Sequence, residues 1–173
     1  MSKIRILNNI ATSFIDYPDD ESIALCVVMM GCTNGCNGCQ NPCFMNPLYD
    51  KGTREVSVEQ LASELEVLCK KNQTNKVVLS GGDPISVYNI EFTKKLLEYK
   101  NKFDFCIYTG HNIDYVREAN VNGFKFIKCG KFDIRNARKS YKDDDRMVFA
   151  TPNQALYNEK YEQLSIDGIY NFN

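Results

Sequence analysis

The chain has 173 residues, of which 43% are hydrophobic, and a formal net charge of -1; this size and composition predict one soluble domain, residues 1–173, with a substantial core. With this balanced charge the chain lacks the basic excess that is typical of proteins whose main partner is nucleic acid, so we expect no nucleic-acid partner. No stretch approaches the roughly 18 apolar residues of a membrane span, and the first nine residues lack the apolar core of a signal peptide. We therefore expect no membrane partner and a cytoplasmic location.

Strands and helices are predicted to alternate from the first apolar run onward. Ile23–Met30 is nearly all apolar, which is typical of a strand covered on both faces. Ser57 and Gln60 form a capping box, so a helix is predicted to begin there and to end near Lys71. The strand Lys76–Ser80 follows, and a Gly-Gly-Asp-Pro turn ends it.

The second half of the chain continues this alternation. Further helices are predicted at Tyr88–Lys100 and Ile113–Ala119, and further strands at Phe103–Tyr108, Phe124–Lys128 and Met147–Ala150. The charged run Lys142–Arg146 is expected to be a solvated loop, and Tyr161–Phe172 is either an edge strand or a docked tail. Strands separated by such helices indicate right-handed βαβ crossovers and a mainly parallel sheet. We therefore predict an α/β fold, an open or partial β/α barrel.

Half of the eight cysteines lie in one loop, residues 31–43, directly after the first predicted core strand. In a reducing compartment, clustered thiols indicate metal ligands or redox groups rather than disulfides. Cys32, Cys36 and Cys39 have the spacing C-x3-C-x2-C, which suits three thiolates on a 4Fe-4S cluster with one iron left open. Cys43 keeps an alternative open, because four sulfurs would also suit zinc or an electron-carrier cluster.

The remaining cysteines lie in or beside predicted strands and helices. We predict that they are small apolar packing residues; they are Cys26, Cys69, Cys106 and Cys129.

A second motif, Ser80-Gly81-Gly82-Asp83-Pro84, follows the second core strand. In a parallel sheet it lies at the same carboxyl edge as the cysteine loop, where α/β folds bind ligands. Glycines let a ligand approach the backbone closely, and the Asp83 carboxylate is able to orient an ammonium group. The turn alone is a weak signal, but its pairing with the CxxxCxxC loop favours a cofactor site.

Together the two motifs resemble the radical S-adenosylmethionine (SAM) superfamily, whose signature is CxxxCxxC after the first strand and a GGE-like turn after the second. Here the turn reads Gly-Gly-Asp. The resemblance implies that a 4Fe-4S cluster binds to Cys32, Cys36 and Cys39, and that SAM occupies the fourth iron through its amino and carboxylate groups. Cys43 then has no ligand role.

The same resemblance implies a set of SAM-binding residues. Gly81, Gly82 and Asp83 are expected to hold the methionyl amino group. The further expected cofactor contacts are Gly38, Gln40, Tyr108 and Thr109. For Tyr108 and Thr109 the alternatives are core packing and a turn cap, and His111 is interpreted as a structural loop residue.

Within this superfamily the chain resembles the activating protein of the anaerobic ribonucleoside-triphosphate reductase. Several stretches match the pattern of that family in chain order, namely Phe14-Ile15-Asp16-Tyr17-Pro18, Cys39-Gln40-Asn41-Pro42, Leu79-Ser80-Gly81-Gly82-Asp83-Pro84, Tyr108-Thr109-Gly110, Gly130-Lys131-Phe132 and Thr151-Pro152-Asn153-Gln154. The chain departs from the pattern at Tyr17, where glycine is usual, and at Cys129, where an acidic residue often stands.

This second resemblance implies an oxidoreductase that cleaves SAM reductively to methionine and a 5'-deoxyadenosyl radical. The radical then takes hydrogen from a glycine of the large reductase subunit, and no side-chain acid or base is needed. An external one-electron donor such as flavodoxin is implied as a further partner. Alternatives are an activase of another glycyl-radical enzyme, another small radical SAM enzyme and, in a different class, a non-catalytic four-cysteine iron-sulfur carrier or zinc module.

Overall fold

The computed structural model describes residues 3–19, 23–139 and 146–172. In these ranges the elements in chain order are β1 (Ile4–Leu7), β2 (Ala11–Ser13), β3 (Ala24–Met29), β4 (Thr53–Val56), α1 (Val58–Asn72), β5 (Lys76–Gly81), α2 (Ile90–Leu96), β6 (Asp104–Tyr108), α3 (Ile113–Glu118), β7 (Phe124–Cys129), β8 (Arg146–Val148), β9 (Ala155–Asn158) and β10 (Ile169–Asn171). Short 3-10 turns occur at Pro42–Met45, Leu97–Tyr99 and Ile134–Asn136.

One open sheet organises the chain, with the strand order β4-β1-β3-β5-β6-β7-β9 and with β2 also paired to β3. The neighbours β3, β5, β6 and β7 are parallel, whereas β1, β2, β4 and β9 pair antiparallel. The path ends at β4 on one side and at β9 on the other, so the sheet is not closed into a full barrel. The predicted open α/β fold with a parallel centre is confirmed.

The first long helix begins where its sequence pattern predicts. The Ser57 hydroxyl accepts a hydrogen bond from Gln60 N, and Ser57 N donates to Gln60 Oε1 at 2.9 Å, which completes the capping box. One face of α1 is buried against the sheet, through Val58, Leu61, Ala62, Leu65 and Cys69. Local capping and a periodic apolar face therefore determine this helix together.

The second helix is shorter than its pattern predicts. It begins at Ile90 rather than at Tyr88, and it changes to a 3-10 turn after Leu96. The side chain of Asn89, the residue before the helix, is turned inward and donates to the backbone oxygens of Met30 and Gly31. The amide of Asn89 thus bonds to the loop after β3 instead of capping the helix, and the residues before it form a turn.

The chain end was predicted only in outline. Met147–Ala150 was expected to be a strand, but β8 covers Arg146–Val148 and pairs antiparallel with β10 in a separate two-stranded sheet. Within Tyr161–Phe172 the strand alternative is therefore correct for Ile169–Asn171. Of the charged run expected to form a loop, residues 142–145 lie outside the described residues, and Arg146 begins β8.

The main core lies between the helices and one face of the sheet, where Leu25, Leu79, Phe105 and Ile107 are fully buried. Alternate residues of the same strands point to the opposite face. We call this the inner face; its apolar cluster consists of Tyr17, Ala24, Cys26, Val78 and Cys106, with Tyr108 and Phe126 packed against it. All four cysteines predicted as packing residues are buried. Among the described helices, none is long and apolar enough to cross a membrane.

Candidate functional site

The loop after β3 folds back on itself and forms a compact unit. Gly31 donates its N–H to Phe44 O at 2.7 Å, and Cys32 N donates to Met45 O at 3.1 Å. Gly31 has a φ of +96°, a conformation that side chains of L-residues rarely adopt. The 3-10 turn Pro42–Met45 therefore closes the loop against the carboxyl end of the strand.

Three cysteines of this loop share one cavity. Cys32, Cys36 and Cys39 are partly buried and line a cavity of about 250 Å³, whereas Cys43 is exposed and does not line it. Burial raises the pKa of the Cys32 thiol above its usual range, while a hydrogen bond from the Asn34 backbone opposes this shift. In the described part of the chain, no three His, Cys, Asp or Glu side chains stand close enough together to hold a single metal ion.

The glycine turn after β5 packs directly against the cysteine loop. Gly82 N donates to Met29 O at 2.7 Å, and Asp83 N donates to Gly31 O at 2.9 Å. A Cβ on Gly82 would stand 2.6 Å from Gly31 O, and a Cβ on Gly81 would stand 2.5 Å from Met29 O. Both positions therefore require glycine, and both residues line the cavity.

Asp83 is fully buried beneath this turn. Its Oδ1 accepts a hydrogen bond from Ile85 N at 3.0 Å, and its Oδ2 accepts from Gly110 N at 3.0 Å and from Thr109 Oγ1 at 2.9 Å. The side-chain amide of Asn34 also donates to Oδ2. One carboxylate thus joins the cysteine loop, the β5 turn and the end of β6.

These contacts bear on two predicted cofactor residues. The Asp83 carboxylate and the Thr109 hydroxyl bond to each other beneath the cavity, and neither residue lines it. Their predicted contacts to SAM stay predictions, and the structure adds a role in fixing the cavity wall. His111 lies beside them, with Nε2 at 4.0 Å from Asp83 Oδ2 and its ring stacked on Tyr115.

The other predicted contacts are divided between the cavity and its surroundings. Gln40 lines the cavity. Gly38 lies outside the lining with a φ of +76°, where a Cβ would meet Ile134 Cβ at 2.6 Å. Tyr108 is on the inner face, and its hydroxyl donates to Asp16 O at 2.7 Å.

Two further residues line the cavity: Gln154, for which the sequence left a polar contact to the adenosine or a partner and an ordinary loop as alternatives, and Lys128, which sequence reasoning missed. The side-chain amide of Gln154 donates to Gly130 O at 3.2 Å. Lys128 lies near the end of β7, and burial lowers the pKa of this lysine to about 8. The available signal was its position in the strand, because Phe126 and Lys128 are alternate residues and lie on the same, inner face.

The donor set suits an iron-sulfur cluster. The cavity lining combines three thiols with amide side chains, glycines and one lysine, and no carboxylate is among these lining residues. Thiolates are the ligands of iron-sulfur clusters, whereas sites for hard cations are built from oxygen donors. A cluster bound here would be held by Cys32, Cys36 and Cys39.

Comparison with family models agrees with this donor set. The model of a family described as "4Fe-4S single cluster domain" matches residues 21–156. A crystal structure of QueE from Escherichia coli is 19% identical, with a TM-score of 0.48 over 64% of this chain and 54% of that chain. This chain therefore spans about half the length of that protein. No curated protein matches the sequence.

The family match includes the strands β3 to β7 and all three cavity cysteines. The expectation of a 4Fe-4S protein is therefore confirmed. The chain belongs to the 4Fe-4S single cluster domain family.

Proposed function

We propose that the chain is a radical SAM enzyme whose cluster is held by Cys32, Cys36 and Cys39. The observation that supports this most is the convergence of these three thiols and the glycine turn on one cavity, at the carboxyl ends of parallel strands. Open α/β sheets bind their ligands at this edge. With three protein ligands, one iron remains available to a chelating cofactor.

The protein residues of the cavity bind and orient in this proposal. Gly81 and Gly82 leave the backbone open to close approach by the methionyl group. Gln40 lines the same cavity, and its side-chain amide offers neutral hydrogen bonds to polar groups of SAM. The amides of Asn34 and Gln154 are bonded to Asp83 and to Gly130 O, and they shape the cavity wall. When bound, the cluster supplies the electron that cleaves SAM to methionine and a 5'-deoxyadenosyl radical.

The finer proposal is that the radical is passed to a glycine of the large subunit of an anaerobic ribonucleoside-triphosphate reductase. Its support is spatial, because stretches that carry the activase resemblance come together at the cavity. Gln40, Asn41, Phe132 and Gln154 come from three separate such stretches, and all of them line it. An external one-electron donor such as flavodoxin belongs to this proposal as a second partner.

The radical SAM chemistry is tested with anaerobically reconstituted protein, a chemical reductant and SAM. We expect formation of methionine and 5'-deoxyadenosine, together with a change in the electron paramagnetic resonance (EPR) spectrum of the reduced cluster when SAM is added. Cys36→Ala should lose the cluster and the products. Cys43→Ala is the matched control and should keep both, because Cys43 lies outside the cavity lining. Cluster loss in Cys43→Ala, with no SAM cleavage by the wild type, would favour the four-cysteine carrier.

The identity of the partner is tested separately by mixing reduced protein and SAM with candidate glycyl-radical enzymes. We expect the EPR signal of a glycyl radical on the anaerobic ribonucleotide reductase subunit. A signal only on another enzyme, for example pyruvate formate-lyase, would assign the chain to a different activase. SAM cleavage with no glycyl radical on either partner would place it among other small radical SAM enzymes.

A further inference from the structure

Among the described residues, one cationic side chain lines the cavity, and none of the sequence motifs accounts for it. Lys128 lies near the carboxyl end of β7, on the inner face of the sheet. Its Nζ is 5.0 Å from the ring centroid of Tyr108 and 5.5 Å from that of Phe149. The two aromatic rings hold the ammonium group beside the cavity rather than in bulk solvent.

Lys128 has no acidic partner among the described residues, since no carboxylate lies within 4.0 Å of its Nζ. The contrast on the same strand is Lys125, which pairs with Glu159 at 3.2 Å on the protein surface. The charge of one carboxylate, Asp16, acts on Lys128. Its carboxylate already accepts hydrogen bonds from Ser13 Oγ at 2.6 Å and from the Cys26 thiol.

The thiols around Lys128 differ in their capacity to carry charge. Burial raises the pKa of Cys129 to about 12 and that of Cys106 well above its usual value, so both remain neutral near pH 7. Cys36 also interacts with Lys128 and lines the same cavity. Cys36 becomes a thiolate when it binds iron. Among the groups that the chain itself supplies at this cavity, the anion available to Lys128 is therefore the cluster with its thiolate ligands.

We propose that Lys128 is the countercharge of the iron-sulfur cluster and raises its reduction potential. Reduction adds one electron to a group that three thiolates already make negative, and a nearby ammonium group stabilises the reduced form more than the oxidised form. Cluster potentials are known to depend on net charge and on the surrounding residues. The inference rests on the cluster site of the proposed function but not on its radical chemistry.

The test is an anaerobic redox titration of the reconstituted full chain without SAM. The EPR signal of the reduced cluster is the readout at each potential. In Lys128→Met the equilibrium constant for reduction should fall at least tenfold, a shift of about 59 mV to more negative potential for one electron. Lys128→Arg keeps the charge, so its equilibrium constant for reduction should stay within threefold of the wild-type value. The same limit should hold for Lys125→Met, which removes an exposed lysine from the same strand.

Further measurements separate charge from loss of structure. Iron content and circular dichroism should match the wild type in each variant, and Lys128→Gln should repeat the loss if Lys128→Met incorporates less cluster. If the equilibrium constant for reduction of the uncharged variants stays within threefold of the wild-type value, the proposal is overturned. Weaker SAM binding with an unchanged potential would overturn it as well, because the ammonium would then face the SAM carboxylate.

The proposed function and this inference fail in different ways. If the potential changes in the uncharged Lys128 variants but the wild-type protein does not cleave SAM, the radical chemistry is refuted and the role of Lys128 is supported. A protein that cleaves SAM with a lysine-independent potential would support the chemistry and refute that role.

Discussion

The buried carboxylate of Asp83 gives the sharpest test of how the cavity wall is held. The substitution Asp83→Asn preserves the shape of the side chain but replaces one acceptor oxygen by an NH2 group. If the amide nitrogen takes the place of Oδ2, it faces the donors of Gly110 and Asn34; in the place of Oδ1, it faces Ile85 N. In either orientation at least one backbone N–H loses its acceptor.

The cost follows from these bonds. An orphaned buried donor costs about 1–3 kcal/mol, and each remaining bond to the former carboxylate weakens by about 1 kcal/mol when the charge is lost. Release of a buried charge offsets part of this loss. We expect a net loss of about 3 kcal/mol in the free energy of unfolding, which for a chain of this size lowers Tm by roughly 6–12 °C.

The assay is thermal and urea unfolding of the cluster-free protein, so that cofactor binding does not contribute. Asp114→Asn is the control, because Asp114 is an exposed carboxylate that pairs with Arg117 at 3.4 Å; its loss should stay below about 0.5 kcal/mol. A double-mutant cycle with Asn34→Ala should give a coupling of at least about 1 kcal/mol. If Asp83→Asn unfolds within about 2 °C of the wild type, the carboxylate does not hold the three segments together.

Three other predictions concern single positions. Gly82→Ala should greatly reduce cluster incorporation, measured as iron content, because its Cβ would meet Gly31 O at 2.6 Å. Gly52→Ala is the control: its Cβ has open space, and the variant should lose only about 1–2 kcal/mol in the free energy of unfolding. Tyr108→Phe removes the hydrogen bond to Asp16 O and should cost about 1 kcal/mol in urea unfolding; weaker SAM binding with unchanged stability would contradict this structural role. Ser57→Ala removes the side-chain cap of α1 and should lower stability by about 1 kcal/mol, with Ser57→Thr close to the wild type, and equal stability of all three proteins would contradict the importance of the cap.

The antiparallel strands at one edge of the sheet show where local patterns carried too little information. β1 has four residues, and its register places Ile4 opposite Val56, which lies far away in the sequence. A stretch of this length is too short to show a clear hydrophobic periodicity; β4 also has four residues, and β2 has only three. Such strands form because a partner strand is present to pair with, which their own residues do not reveal.

The candidate site also combines features that the sequence reveals with features that only the tertiary structure sets. The three thiols of the cavity were predictable as a group because Cys32, Cys36 and Cys39 lie within one loop, where their spacing is visible in the sequence. The contacts of Asp83 and the position of Lys128 were not predictable in this way. Asp83 bonds to Asn34 across 49 positions and to Thr109 across 26, and Lys128 reaches the cavity only because β7 lies beside β6.

The sequence by itself determined the features that depend on neighbouring residues: the cysteine spacing, the capped start of α1, the central apolar strands and hence the open α/β fold. The tertiary structure decided which distant side chains meet. It buried Asp83 as the link between three segments, left Cys43 outside the cavity and brought Lys128 to its wall. The physical reason is that spacing, capping and periodicity act over a few residues, whereas burial and charge at a site are set by packing between segments far apart in the chain.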